Sequence, residues 1–273
     1  MRAAAWLVFL MATGGAARAQ QRIVLPSSVE MFVSTAPPGR GPFPLILFVH
    51  GHQAPDRPGA RVFVTLERRP ALATVDEGRL QLMAARGWVA AAVSLPGYGE
   101  SAGPADFCGP RSQAAVRAAL DWLLARPDVD RGKVVVYGVS RGAATASMEA
   151  TGDARIAGLI LVAGIYDLGE AFPTGDPVVD ANIAREAGTT PEAFAERSAL
   201  RKAEEIRADT LILHGGDDRR GGSVAQARRL ADRLRAARRK VRLRIFEGTP
   251  HAIPIDEQWK EIDPFLESLG ARE

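Results

Sequence analysis

A chain of 273 residues, 47% of them hydrophobic and 25% charged, is long enough for one large core and lacks the composition of a disordered or collagen-like protein. Its formal net charge of +3 gives no ground for a nucleic-acid partner, and a single cysteine, Cys108, excludes an intrachain disulfide. Residues 1–19 differ from the rest: Arg2, an apolar stretch Ala3 to Met11, then small residues ending in Ala17-Arg18-Ala19. A short positive start, a brief apolar centre and an A-x-A end predict a secretory signal peptide cleaved after Ala19. The apolar centre is too short for stable membrane insertion, so the expected location of the mature protein is the periplasm or the extracellular medium.

The remaining residues, 20–273, are expected to form a single domain. Six short apolar runs read as strands: Leu45 to Val49, Val89 to Val93, Val134 to Tyr137, Leu159 to Ala163, Thr210 to Leu213 and Val241 to Phe246. Between them, helical spacing predicts Val75 to Arg86, Arg111 to Ala125, Ala143 to Thr151, Pro191 to Ile206, Ser223 to Arg239 and Ile255 to Leu269. Alternation of this kind predicts an α/β fold, a mostly parallel, doubly wound sheet with helices on both faces. Two irregular stretches stand out, Gln53 to Thr74 after the first run and Gly169 to Gly188, rich in Pro, Gly and Asp, which is read as a lid or substrate wall. The basic segment Arg228 to Lys240 carries Leu230, Leu234 and Ala237 at helical spacing and reads as the solvated face of a packed helix.

Gly138-Val139-Ser140-Arg141-Gly142 lies between a strand and a small-residue helix. A serine on such a turn projects its hydroxyl outward, and the two glycines admit the close approach the turn requires. Ser140 is therefore the candidate nucleophile. A hydroxyl needs a base, and His251, in the loop Gly248-Thr249-Pro250-His251 between the last strand and the last helix, can point back over the carboxyl edge of the sheet. The carboxylate that would orient it is one of the adjacent pair Asp217 and Asp218. Backbone N–H groups for an oxyanion are expected from Arg141, which starts a helix, and from His52, in the turn His50-Gly51-His52. His50 itself reads as a structural histidine.

The pieces Phe48-Val49-His50-Gly51, Leu95-Pro96-Gly97-Tyr98-Gly99-Glu100-Ser101, Tyr137 to Gly142, Leu213 to Asp218 and Gly248 to His251 together resemble the α/β-hydrolase superfamily over nearly all of the mature length. Asp121-Trp122-Leu123 and Asp128-Val129-Asp130 look like the catalytic domain of prolyl oligopeptidase-type and dienelactone hydrolase-like enzymes. The resemblance implies the α/β-hydrolase fold and an acid three residues after the His214-Gly215 pair, which selects Asp218 over Asp217. It implies a serine hydrolase that needs neither metal nor organic cofactor and acts on a small-molecule ester or a short peptide.

Departures from the pattern include Arg219-Arg220-Gly221-Gly222, where relatives usually carry Val-Pro, and Ser94, where many have aspartate. A β-propeller like that of the large prolyl oligopeptidases does not fit this length, which leaves access to the chain's own loops. Two readings of other classes are a metallohydrolase using His50, His52 and His214, and a non-catalytic hydrolase-fold binding protein.

Overall fold

A computed structural model describes residues 20–51, 78–220 and 222–270. The expected signal peptide, the stretch Gln53 to Thr74 and His52 lie outside the described residues. Eight strands form one sheet in the order β1-β2-β4-β3-β5-β6-β7-β8. They are β1 (Gln20–Val24), β2 (Glu30–Ser34), β3 (Phe43–Val49), β4 (Val89–Val93), β5 (Val129–Val139), β6 (Gly158–Val162), β7 (Asp209–Gly215) and β8 (Val241–Phe246). From β4 to β8 across the sheet every pairing is parallel, whereas β2 pairs antiparallel with both β1 and β4.

The expected parallel sheet with helices on both faces is what the chain forms. Alternate residues of the central strands sort into two cores. Leu45, Leu47, Val134, Val136, Leu159, Leu161 and Ile212 face one side, under α2 (Pro110–Leu124), α3 (Arg141–Gly152) and α7 (Val224–Ala236). Ile46, Phe48, Val135, Tyr137, Ile160, Val162, Leu211 and Leu213 face the other, under α1 (Arg79–Ala85) and α8 (Ile255–Gly270). Strands buried on both faces have to be continuously apolar, which is why these runs stand out in the sequence.

Four features differ from expectation. The strands β1 and β2 have no forerunner in the pattern, since QQRIV is mostly polar and half-exposed and EMFVS is short. Among the described residues the first helix begins at Arg79, after Gly78 at φ 75°, whose left-handed backbone is not helical; Val75 to Glu77 of the expected helix lie outside the described residues. Pro191 to Ile206 is not one helix but α6 (Pro191–Ala195) followed by a 3₁₀ turn, Ala199–Glu205. Ser198 breaks it: its hydroxyl donates to Phe194 O at 2.6 Å and accepts from Leu168 N–H at 2.9 Å, and its backbone lies at φ −120°, ψ 80°.

The fourth is the stretch Gly169 to Gly188, which is largely helical: α4 (Leu168–Ala171) and α5 (Pro177–Glu186). The Asp176 carboxylate accepts from Val178 N–H at 3.0 Å, and Pro177 occupies the first turn, where its missing N–H costs nothing. The composition that suggests a loop is therefore a cap and a start signal.

The basic helix α7 turns Ala227, Leu230 and Leu234 into the core and leaves Arg228, Arg229, Arg233 and Arg235 exposed. The carboxylate beside Ser94 comes from Glu30 of β2, which accepts from the Ser94 hydroxyl at 2.8 Å and from Glu100 N–H at 3.2 Å.

Candidate active site

The carboxyl ends of β5, β7 and β8 meet at one edge of the sheet, and each delivers one polar side chain to the same place. Ser140 follows β5 directly, with φ 54° and ψ −117°, a conformation that L-residues adopt only under constraint. The constraint is visible on both sides of it. Ser140 N–H donates to Val162 O at 2.7 Å, continuing the ladder to β6. A Cβ on Gly138 would stand 2.3 Å from Gly142 O, and a Cβ on Gly142 would stand 2.1 Å from Val49 O. Only glycine fits at either position.

His251 Nε2 lies 2.9 Å from Ser140 Oγ, and His251 Nδ1 lies 2.8 Å from Asp218 Oδ2. The Asp218 side chain is fully buried, and that of His251 is 17% exposed. A carboxylate can only accept, so Nδ1 carries the ring proton and Nε2 is left to accept from the Ser140 hydroxyl. Asp218 Oδ1 accepts from Arg220 N–H at 2.9 Å, which holds the carboxylate in the loop. The neighbouring Asp217 is exposed, and its backbone N–H donates to Thr249 O at 2.9 Å. Of the two adjacent aspartates, the geometry brings Asp218 to the histidine.

A second imidazole lies against the same carboxylate. His214 at the end of β7 is buried, with Nε2 3.5 Å from Asp218 Oδ2. Burial lowers its pKa more than the Asp218 charge raises it, so the ring stays neutral. The sequence offers His214 as a metal-ligand candidate and as a landmark for the acid; its position at a strand end next to the acid was the available signal for this contact.

His50 is fully committed elsewhere. Its Nε2 accepts from Leu95 N–H at 3.0 Å and its Nδ1–H donates to Gly51 O at 2.9 Å, which leaves neither nitrogen for a metal. Burial pushes its pKa down to about 4. Because the fold favours the neutral ring, the stability that His50 contributes is complete above pH 6.5 and is lost as the pH falls toward 4. The loss is expected to reach about 3 kcal/mol, read as the part of the fall in urea-unfolding free energy between neutral and acid pH that a His50→Gln variant does not show.

Arg141 is the first residue of α3, so its N–H has no acceptor within the helix and points where the helix dipole favours negative charge. A Cβ on Gly51 would stand 3.2 Å from Ser140 Cβ, so the turn after β3 passes directly over the serine. His52, next in the chain, lies outside the described residues.

The Arg141 side chain turns inward. Its guanidinium Nη1 lies 2.8 Å from Glu186 Oε2 and donates to the Tyr98 hydroxyl at 2.9 Å, and Cζ stacks 4.6 Å from the centre of the Phe107 ring. Arg141 is 2% exposed and Glu186 7%, and Nε and Nη2 of the guanidinium are buried without a hydrogen-bond partner. This pair ties the end of α5 to the turn that carries Ser140. Neither Glu186 nor Tyr98 is recognisable from the sequence. Breaking a buried pair strands a charge, so Glu186→Gln is expected to lower the unfolding free energy by about 3–5 kcal/mol in urea titrations.

A cavity of about 400 Å³ opens over Ser140 and His251, with Phe107, Ile165, Val178 and Val179 as its apolar walls. Cys108 also lines it; burial pushes that thiol up to about 12, so it stays protonated and is no competing nucleophile. A larger cavity, about 660 Å³, lies near the opposite end of β5 among Trp88, Lys133 and Asp263, and does not include Ser140 or His251.

Residues 28–264 match the model of the X-Pro dipeptidyl-peptidase (S15) family. Among curated proteins, the chain is 30% identical over 127 residues to the protein bem46 of Schizosaccharomyces pombe, an alignment covering 46% of this chain and 40% of that one. The fold is similar to acylaminoacyl peptidase of Pyrococcus horikoshii, with a TM-score of 0.71 at 17% identity over 91% of this chain and 41% of that one. It is also similar to an esterase of Pyrococcus furiosus, with a TM-score of 0.64 at 16% identity over 91% of this chain and 90% of that one. The chain thus spans about two fifths of the length of the acylaminoacyl peptidase and nearly all of the esterase. On the family match across the sheet and the serine turn, the chain belongs to the X-Pro dipeptidyl-peptidase (S15) family, within the α/β-hydrolase superfamily.

Proposed function

We propose that this serine hydrolase cleaves carboxylic esters through an acyl-enzyme formed on Ser140. The observation that carries the reading is the chain of contacts at 2.9 and 2.8 Å from Ser140 through His251 to a buried Asp218. Ser140 Oγ attacks the carbonyl carbon as His251 Nε2 takes its proton, and Asp218 holds the imidazole tautomer and offsets the imidazolium charge. The tetrahedral oxyanion accepts from the backbone N–H of Arg141 and, on the sequence expectation, of His52. His251 then gives its proton to the leaving alkoxide, the carbon–oxygen bond breaks, and the acyl group stays on Ser140. Water, deprotonated by the same histidine, attacks the acyl-enzyme and releases the acid.

A second reading, a serine peptidase acting on short peptides, is favoured by the family description. Among the described residues the charged side chains lining the cavity are Arg141 and Arg220, with no Asp or Glu. A panel of p-nitrophenyl esters set against aminoacyl and prolyl anilides divides the two, and higher kcat/KM on the anilides would replace esters with peptides as the substrate class. Export belongs to the same proposal, resting on the leader pattern of residues 1–19; N-terminal sequencing of the processed protein should begin at Gln20.

A further inference from the structure

The walls of the catalytic cavity are unevenly charged. Two arginines, Arg141 and Arg220, line it, and no described carboxylate does. Arg141 is paired with Glu186 at 2.8 Å. Arg185 shares the same carboxylate, 3.1 Å from Glu186, and Arg201 is held by Asp167 at 3.1 Å. Arg220 differs. It is exposed, and its guanidinium has no carboxylate partner among the described residues. Its backbone is not free to wander, because Arg220 N–H donates to Asp218 Oδ1 at 2.9 Å. The loop that presents the acid therefore also presents a cation without a carboxylate partner at the edge of the cavity over Ser140.

We propose that Arg220 is a specificity-determining residue that selects substrates bearing a carboxylate, held by its guanidinium while the ester carbonyl lies at Ser140. The inference rests on the ester reading above and adds the class of ester. A planar guanidinium presents paired donors that match a carboxylate. The same charge disfavours a cationic substrate, so selection works by attraction and by repulsion.

The test compares kcat/KM for three acyl esters of one nitrophenol: the monoester of glutaric acid, the methyl ester of that monoester, and the 4-(trimethylammonio)butyrate ester. A fourth, a butyrate ester of 3-carboxy-4-nitrophenol, places the carboxylate on the leaving group. One of the two carboxylate esters is expected to exceed its neutral counterpart by about fivefold at low salt, the size of a partly exposed pair, and the advantage should shrink as salt is added. Arg220→Gln should bring the ratio to about one and Arg220→Glu should invert it in favour of the trimethylammonium ester. Both variants keep the backbone N–H that Asp218 uses, and melting temperature checks that they fold.

Equal rates for charged and neutral esters in the native protein, or a carboxylate preference that survives both Arg220 variants, would overturn the proposal and leave ester hydrolysis standing. Cleavage of anilides with no ester turnover would instead overturn the ester reading. In that case N-glutaryl and N-(methylglutaryl) aminoacyl anilides carry the same comparison.

Discussion

Ser140→Ala is expected to abolish turnover, lowering kcat by roughly 10⁴–10⁶ while leaving the melting temperature equal or higher. Alanine removes the atom that forms the bond, so no rearrangement of His251 can substitute for it. What remains is the catalysis that oxyanion donors and binding supply without a nucleophile. The stability half of the expectation follows from geometry: alanine keeps the backbone at φ 54° and the glycines that frame it, and it loses only one hydroxyl at a half-buried site. Labelling with a fluorophosphonate probe, with and without a chelator, checks the first half. Turnover that persists in Ser140→Ala and disappears on chelation would reinstate a metal reading, and a native protein that neither labels nor turns over would be a binding module.

Asp218→Asn should cost about 10⁴ in kcat, whereas Asp217→Asn should change kcat by less than a factor of about three. The asymmetry comes from what each side chain touches. Asp218 is fully buried and accepts two hydrogen bonds, from His251 Nδ1–H at 2.8 Å and from Arg220 N–H at 2.9 Å. An amide there keeps its oxygen on the Arg220 N–H and presents its NH₂ group to His251, which forces the imidazole into the tautomer that cannot take a proton from Ser140. The exposed Asp217 has no such role. Steady-state kinetics on one activated ester for both variants decides between them, and the reverse order would move the acid by one residue.

The residues with chemistry in them were legible because each follows the carboxyl end of a strand, in a turn whose small residues announce a close approach. Gly138 and Gly142 frame Ser140, Gly215 and Gly216 precede the aspartates, and Gly248 precedes His251. Choosing between Asp217 and Asp218 needed the resemblance, since adjacent residues on one turn differ in direction and not in spacing. Five of the six expected strands and the doubly wound plan follow from apolar runs, and the sixth, the edge strand β8, from the alternation in VRLRIF.

What escaped was whatever depends on partners distant in the chain. Strands β1 and β2 exist because β4 offers an edge, and their own composition does not demand it. Helix α5 hid behind Asp176-Pro177, a pair that serves turns and helix starts equally well. Arg141 could be read for its backbone N–H, but its side chain meets Tyr98 and Glu186, 43 and 45 positions away, and no local pattern pairs either one with it.

That buried pair also bears on how the cavity admits its substrate. To swing α5 away from the serine turn would separate Arg141 from Glu186 and leave a cation surrounded by Phe107, Tyr98 and apolar side chains, with two of its nitrogens already lacking partners. At about 3–5 kcal/mol for breaking such a pair, the swung-out form is a minor state. On the α5 side the buried pair therefore favours a held wall over a swinging one, so that side sorts molecules mainly by fit.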